Sequence, residues 1–329
     1  MHGDLRDQAA AEFTEFRPRL PWIGPDLQTI RNFVARPKVD LRPWPAQRLW
    51  FQAGEDRLSG LWHRAGRPDR PLVILLHGLT GCERSSYVRL SALQLLERGY
   101  SVLRLNLRGA GPSRAYCREG YHAGRTEDLH HVLNGLPAAA SRSGVALVGY
   151  SLGGNILLKF LAEESAAAHP VRAAVSISAP IDLALTQRRI LEPRNRVYHS
   201  YLINRMRKEA VLLLRDRRWR RRVLLSNSVR EFDERVTAPL YGFAGADDYH
   251  ARCSAGPVMG RIDIPTLLIH GLDDPWIPAD PYLAFNWRAH PQLTPLLPPQ
   301  GGHVGFHGRG DRMPWHDRCI VRFFDRRID

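Results

Sequence analysis

Residues 145–154 read Val-Ala-Leu-Val-Gly-Tyr-Ser-Leu-Gly-Gly, and this stretch decides the fold. A short apolar run stops at Gly149, and the helical spacing of Ile156, Leu157, Phe160 and Leu161 begins directly behind it. Between run and helix, Gly149-Tyr150-Ser151-Leu152-Gly153 has the G-x-S-x-G spacing of a nucleophile elbow. The spacing has a steric cause. A serine on a tight strand-to-helix turn has strained backbone angles, and the residues two away on either side must be small for strand and helix to approach. The turn lifts the hydroxyl clear of the sheet and sets a helix N-terminus beneath it, where positive potential favours a developing oxyanion. The competing reading is a glycine-rich turn with an idle serine, so partners for Ser151 must be found elsewhere.

Working outward, apolar runs at 72–76, 101–105 and 173–177 read as strands. Helical patterns at 87–96, 126–133 and 155–164 separate these runs and the one at 145–148. Upstream, 48–52 and 58–63 flank Gly54-Glu55-Asp56 as a β-hairpin. After Ser178-Ala179-Pro180 the alternation breaks into an arginine-rich helical stretch, in which Tyr198, Tyr201, Leu202 and Met206 form an amphipathic stripe. Strands resume at 266–269 and 293–297, and a last helix covers 315–324. The pattern predicts an α/β fold, a mostly parallel central sheet flanked by helices, with a helical lid inserted. The expected divisions are a proline- and aromatic-rich arm over 1–47, core over 48–180, lid over 181–235 and core again over 236–329.

A serine hydroxyl is a weak nucleophile unless a histidine takes its proton and a carboxylate fixes that histidine's tautomer. In a hydrolase built on such a sheet the order is Ser, Asp or Glu, then His, each just after a strand. After 266–269 comes Gly271-Leu272-Asp273-Asp274-Pro275, and after the next strand Gly301-Gly302-His303-Val304-Gly305. Singly, His303 reads as a turn histidine, one of 14, and Asp273-Asp274 as a turn before a helix. Together and in order, they supply what Ser151 needs. An oxyanion hole would take the backbone N–H of Leu152 and a second from the loop His77-Gly78-Leu79-Thr80-Gly81, where Leu79 is the candidate donor. Losing one such donor typically costs ~2.7–4 kcal/mol of transition-state stabilisation.

The 329-residue chain can bury a large core, and 44% of its residues are hydrophobic. No apolar run approaches the ~20 residues that span a bilayer. The polar start of the chain lacks the apolar core of a signal peptide, so a cytoplasmic location is expected. Cys82, Cys117, Cys253 and Cys319 lack metal-ligand spacing and read as free thiols. The net charge is +14, and only three of the 47 basic residues are lysine. Residues 188–222 hold 13 basic and 3 acidic residues and so carry most of the excess. No helix-turn-helix, zinc or RNA-binding signature accompanies that charge, so a solvated basic face is preferred to a nucleic-acid site. Asn106-Leu107-Arg108-Gly109-Ala110-Gly111 lacks the lysine of a phosphate loop and reads as structure beside the site.

The chain resembles the YheT-like esterases of the α/β-hydrolase superfamily. The closer resemblance rests on Pro21-Trp22-Ile23-Gly24-Pro25-Asp26-Leu27-Gln28-Thr29-Ile30, the His77 loop, Asn106 to Gly109 and Gly149 to Asn155. Pro180 to Leu183, Asn195 to Tyr198 and Glu231-Phe232-Asp233 extend it over nearly the whole chain. Ala110 departs from the cysteine of many relatives. The resemblance implies carboxylic-ester hydrolysis by a Ser151, Asp274, His303 triad, with Asp274 preferred over Asp273 on the family's spacing. Neither metal nor organic cofactor is implied. Expected partners are a small-molecule ester or acyl lipid, and an anionic membrane touched by the basic lid. The alternatives are an acyltransferase, thioesterase or lipase using the same triad, and a catalytically idle binding protein on this scaffold.

Overall fold

The computed structural model describes residues 13–35, 37–163, 167–310 and 312–328; the first 12 residues of the expected arm and the end of the helix expected to reach Glu164 lie outside them. Eight strands form one sheet: β1 (Ala46–Ala53), β2 (Asp56–His63), β3 (Leu72–Leu76), β4 (Val102–Asn106), β5 (Val145–Tyr150), β6 (Val171–Ile177), β7 (Thr266–Ile269) and β8 (Leu293–Leu296). Their order is β1-β2-β4-β3-β5-β6-β7-β8. The hairpin β1–β2 and its junction with β4 are antiparallel, and every later pairing is parallel.

Strands β3, β4, β5 and β7 are buried at every residue, the reason β3, β5 and β7 read as near-continuous apolar runs rather than alternating ones, while β4 also buries the polar Arg104 and Asn106. Alternation instead sorts their side chains between two cores. Ile74, Leu76, Leu147 and Leu268 face one core with α3 (Glu127–Asn134) and α4 (Leu152–Leu161). Val73, Leu75, Val148 and Leu267 face the other with α2 (Ser86–Glu97) and α9 (Trp315–Arg327). A short α1 (Pro25–Val34) belongs to the arm; its Pro25 starts the helix where a missing N–H costs nothing.

Between β6 and β7 lie α5 (Leu183–Ile190), α6 (Arg196–Leu213), α7 (Arg217–Leu225) and α8 (Ala246–Cys253), with short helical turns from Val229 to Leu240 before α8. The helical region therefore runs on past residue 235 to Cys253. Pro239 and Gly242 look like stop signals, but Pro239 sits in the first turn of a short helix and Gly242 has a left-handed φ of 74° between two helices. The lid has a core of its own, with Ile203, Met206, Leu214, Val223, Phe232 and Val236 buried together. Only part of the expected stripe faces it. Leu202 and Met206 are buried, whereas Tyr201 is exposed and packs edge-on against Phe33 of α1, because α6 lies against the arm as well as the core.

Candidate active site

The parallel strands bring their C-terminal ends to one edge, where open α/β sheets place their chemistry. The loops after β3, β5, β6, β7 and β8 meet there. Among the described residues, five non-glycine residues have left-handed backbone, Thr80, Ser151, Ser178, Val304 and Phe306, and all lie in these loops. Such strain, of order 1–3 kcal/mol each, persists only where the surroundings over-determine it.

Ser151 follows β5 with φ 52° and opens α4. Its N–H donates to the Ile177 carbonyl at 2.8 Å, which pins the turn to β6. The flanking glycines are needed for close approach. A Cβ on Gly149 would lie 2.5 Å from the Gly153 carbonyl oxygen, and one on Gly153 would lie 2.5 Å from that of His77. Gly78 likewise lets the β3 loop reach Ser151, whose Cβ would be 3.0 Å from a Cβ there.

His303 Nε2 stands 3.0 Å from Ser151 Oγ, and His303 Nδ1 stands 2.8 Å from Asp274 Oδ2. Asp274 Oδ1 accepts the N–H groups of Trp276 and Ile277 at 2.8 and 3.0 Å. Burial alone would raise the Asp274 pKa, but the charge and hydrogen bond of His303, with the Trp276 N–H, hold it below the ordinary carboxylate value. Asp273 turns the other way. Its carboxylate accepts the Gly302 N–H at 2.9 Å and braces the histidine loop, and burial raises its pKa.

The loop after β3 is held at most of its peptides. Gly78 N–H donates to Tyr87 Oη at 2.9 Å and Thr80 N–H to Tyr121 Oη at 2.7 Å. His77 Nδ1 donates to the Gly78 carbonyl at 2.8 Å while Nε2 accepts the Leu107 N–H at 3.1 Å. Burial pushes the His77 pKa down to about 4, consistent with this neutral tautomer. Leu79 N–H and Leu152 N–H find no acceptor among the described residues.

Several side chains without an assigned role in the sequence reading shape the site. Thr29 Oγ1 accepts the His303 N–H at 2.9 Å and donates to the Pro25 carbonyl at 2.7 Å. Gln28, fully buried, donates to the Trp22 and His307 carbonyls and accepts the His307 N–H at 2.6 Å. The arm is thus a brace for the histidine loop. Ser178 Oγ accepts the Val304 N–H at 3.2 Å, and the Trp276 ring stacks on His303 at 4.4 Å. Arg108 is bound by the buried Asp56 and Asp128, so the Asn106–Gly109 stretch is structural as expected.

An apolar cavity lies between the sheet edge and the lid. Ser151, Leu79 and Leu152 line it beside Leu202, Met206 and Phe232. No group of three or more His, Cys, Asp or Glu side chains among the described residues is placed to hold a metal, and no helix among them is long and apolar enough to cross a membrane.

A mostly parallel eight-stranded sheet, a strained serine between strand and helix, and aspartate and histidine on the loops after β7 and β8 define an α/β-hydrolase. A family model for the alpha/beta hydrolase fold matches residues 71–204. The chain is 34% identical to "Putative esterase YheT" of Escherichia coli (strain K12) over 301 residues, 89% of this chain and 87% of that one. It belongs to the YheT-like family of α/β-hydrolases. It is also 28% identical to human "Phospholipase ABHD3" over 79% of this chain and 65% of that protein. Among solved structures, the Pyrococcus furiosus esterase Pf2001 shares the fold with a TM-score of 0.59 at 18% identity, covering 96% of this chain and 99% of that one.

Proposed function

We propose that the protein hydrolyses carboxylic esters through an acyl-enzyme on Ser151. His303 takes the Ser151 proton at Nε2 as Oγ bonds to the ester carbonyl carbon. Asp274 holds the tautomer that leaves Nε2 free to accept and stabilises the imidazolium. Charge on the carbonyl oxygen is met by the Leu79 and Leu152 N–H groups at the positive end of α4. Collapse expels the alcohol, which takes the proton from His303. Water, deprotonated by the same nitrogen, then releases the carboxylic acid and restores Ser151. The observation that carries the reading is the relay of 3.0 and 2.8 Å from Ser151 through His303 to Asp274. The names of the esterase and phospholipase relatives, and an apolar cavity suited to an acyl chain, support it. Labelling by a fluorophosphonate and turnover of p-nitrophenyl esters, both lost in Ser151→Ala, test it. Added alcohols or acyl thioesters then separate hydrolysis from acyl transfer or thioester cleavage.

A second reading concerns the source of the ester. Among the described residues, 20–34 and 191–201 contribute eight of the 13 large exposed apolar side chains, including Leu27, Val34 and Val197. The two segments meet where Tyr198 and Arg194 bond Asp26 and where Phe33 packs on Tyr201, with Arg188 and Arg196 exposed on the lid side. Exposed apolar groups on a segment that also carries exposed arginines suit an anionic lipid surface, with an acyl lipid as substrate. Binding to vesicles containing phosphatidylserine that weakens with salt is expected, and salt-insensitive or absent binding refutes it.

A further inference from the structure

Thr80 is a β-branched residue with φ 56°, a backbone state that L residues with branched side chains avoid. Its N–H is held from the core by Tyr121 Oη at 2.7 Å. On its other side, Arg205 Nη2 of the lid helix α6 donates to the Thr80 carbonyl at 3.0 Å. The neighbouring Leu79 side chain packs against both the lid cluster and the main core. Thr80 is thus held through both peptides that flank it, by Tyr121 at the peptide from Leu79 and by Arg205 at the peptide to Gly81, while the Leu79 N–H itself finds no acceptor among the described residues. Arg205 does not line the cavity, and its one ion-pair partner among the described residues is Glu209 at 3.9 Å, too long for a strong bond.

We infer that Arg205 is a positioning residue for the oxyanion hole, through which the lid sets the direction of the Leu79 N–H. The inference rests on the proposed role of Leu79 as an oxyanion donor. When the lid is docked, the guanidinium fixes the Thr80 carbonyl, and with Tyr121 it holds the loop in its strained left-handed turn. Without it, the loop is free to relax toward ordinary backbone angles, and the Leu79 donor swings away from the position of the developing charge. Substrate binding, which depends on the apolar cavity, is little changed. Transition-state binding falls, because donors aimed at the oxyanion act only as charge develops.

The experiment compares wild type, Arg205→Met, Arg205→Lys and Tyr121→Phe on one p-nitrophenyl ester. It also measures inhibition by an alkylboronic acid, which adds to a serine hydroxyl as a tetrahedral mimic of the transition state. For Arg205→Met, kcat falls about 10- to 100-fold, the range expected of a small misplacement in a preorganised site, and KM changes less than about twofold. Boronate affinity falls in step with kcat. Arg205→Lys recovers part of the loss because an ammonium can still donate to the carbonyl, and Tyr121→Phe shows the same split between kcat and KM. Wild-type kcat in Arg205→Met, a raised KM at unchanged kcat, or a fall in kcat with unchanged boronate affinity overturns the inference. Should the methionine variant fail to fold, boronate affinity lowered in step with kcat in both Arg205→Lys and Tyr121→Phe supports the clamp; wild-type affinity in either variant overturns it. Fluorophosphonate labelling of the wild type separates the two levels. Absent labelling refutes the acyl-enzyme and this inference together, whereas a labelled wild type with an unaffected methionine variant refutes only the role of Arg205.

Discussion

Thr29→Val is the substitution that most directly tests whether the N-terminal arm serves catalysis. Valine keeps the shape and β-branching of threonine but removes the hydroxyl that accepts the His303 N–H at 2.9 Å. That N–H lies in a buried loop, and leaving a buried donor unpaired costs about 1–3 kcal/mol. The Pro25 carbonyl, the first of α1, loses the Thr29 hydroxyl as a donor too. The loop can recover the lost interaction only by shifting, and His303 is bound at 2.8 and 3.0 Å on its two ring nitrogens, so a shift moves the imidazole off both partners. A displacement near 1 Å in such a site costs up to about 100-fold in rate. The expected result is a kcat reduced about 10- to 100-fold at nearly unchanged KM, with unfolding free energy lowered by about 1–3 kcal/mol in urea titrations. Thr29→Ser keeps the acceptor and stays within about twofold of wild type in kcat, as expected if the hydroxyl rather than the methyl is what matters. Wild-type turnover in the valine variant would refute the brace.

Gly153→Ala should abolish activity and lower soluble yield, because its methyl would sit 2.5 and 2.8 Å from the carbonyl oxygens of His77 and Leu76, neither of which can move without breaking the elbow. Ala210→Trp, which fills the cavity from α6, should suppress turnover of long-chain p-nitrophenyl esters while sparing acetate and butyrate; equal loss at all lengths would place the acyl chain elsewhere. Stability should peak near neutral pH. Burial lowers His77 and His270 to about 4, so between pH 4 and 6.5 the unfolded chain binds protons that the folded one does not, and stability rises with pH across that window. Asp317 acts in the opposite sense. Burial raises it to about 8 despite its bond from Ser91, so its contribution is complete below about pH 4 and is lost as pH rises through 8. Urea midpoints from pH 4 to 9 should show both limbs, and Asp317→Asn should flatten the alkaline one.

The sheet was legible because parallel strands covered on both faces are mostly apolar, and those at 72–76 and 266–269 agree with the expected runs. The ends of helices moved by a few residues, as at α4, which begins at Leu152 because the elbow itself opens the helix. The loops bearing Ser151, Asp274 and His303 could be placed by chain order after strands, since that order follows from the sheet. Their supports could not. Thr29 meets His303 across 274 positions, and Arg205 meets Thr80 across 125, so no local periodicity announces either contact. Nor did charge show that Asp273 turns to Gly302, for two adjacent aspartates differ only in the direction the turn gives them. The lid runs on past residue 235 because Pro239 sits in the first turn of a short helix and Gly242 turns the chain between two helices.

The central claim is that Ser151 forms the acyl-enzyme. Intact-mass spectrometry after exposure to a fluorophosphonate, with peptide mapping of the adduct, tests it most directly. The account predicts a single adduct on Ser151, none in Ser151→Ala, and parallel loss of ester turnover. An adduct on another residue, or turnover that survives in the Ser151→Ala variant, would contradict it.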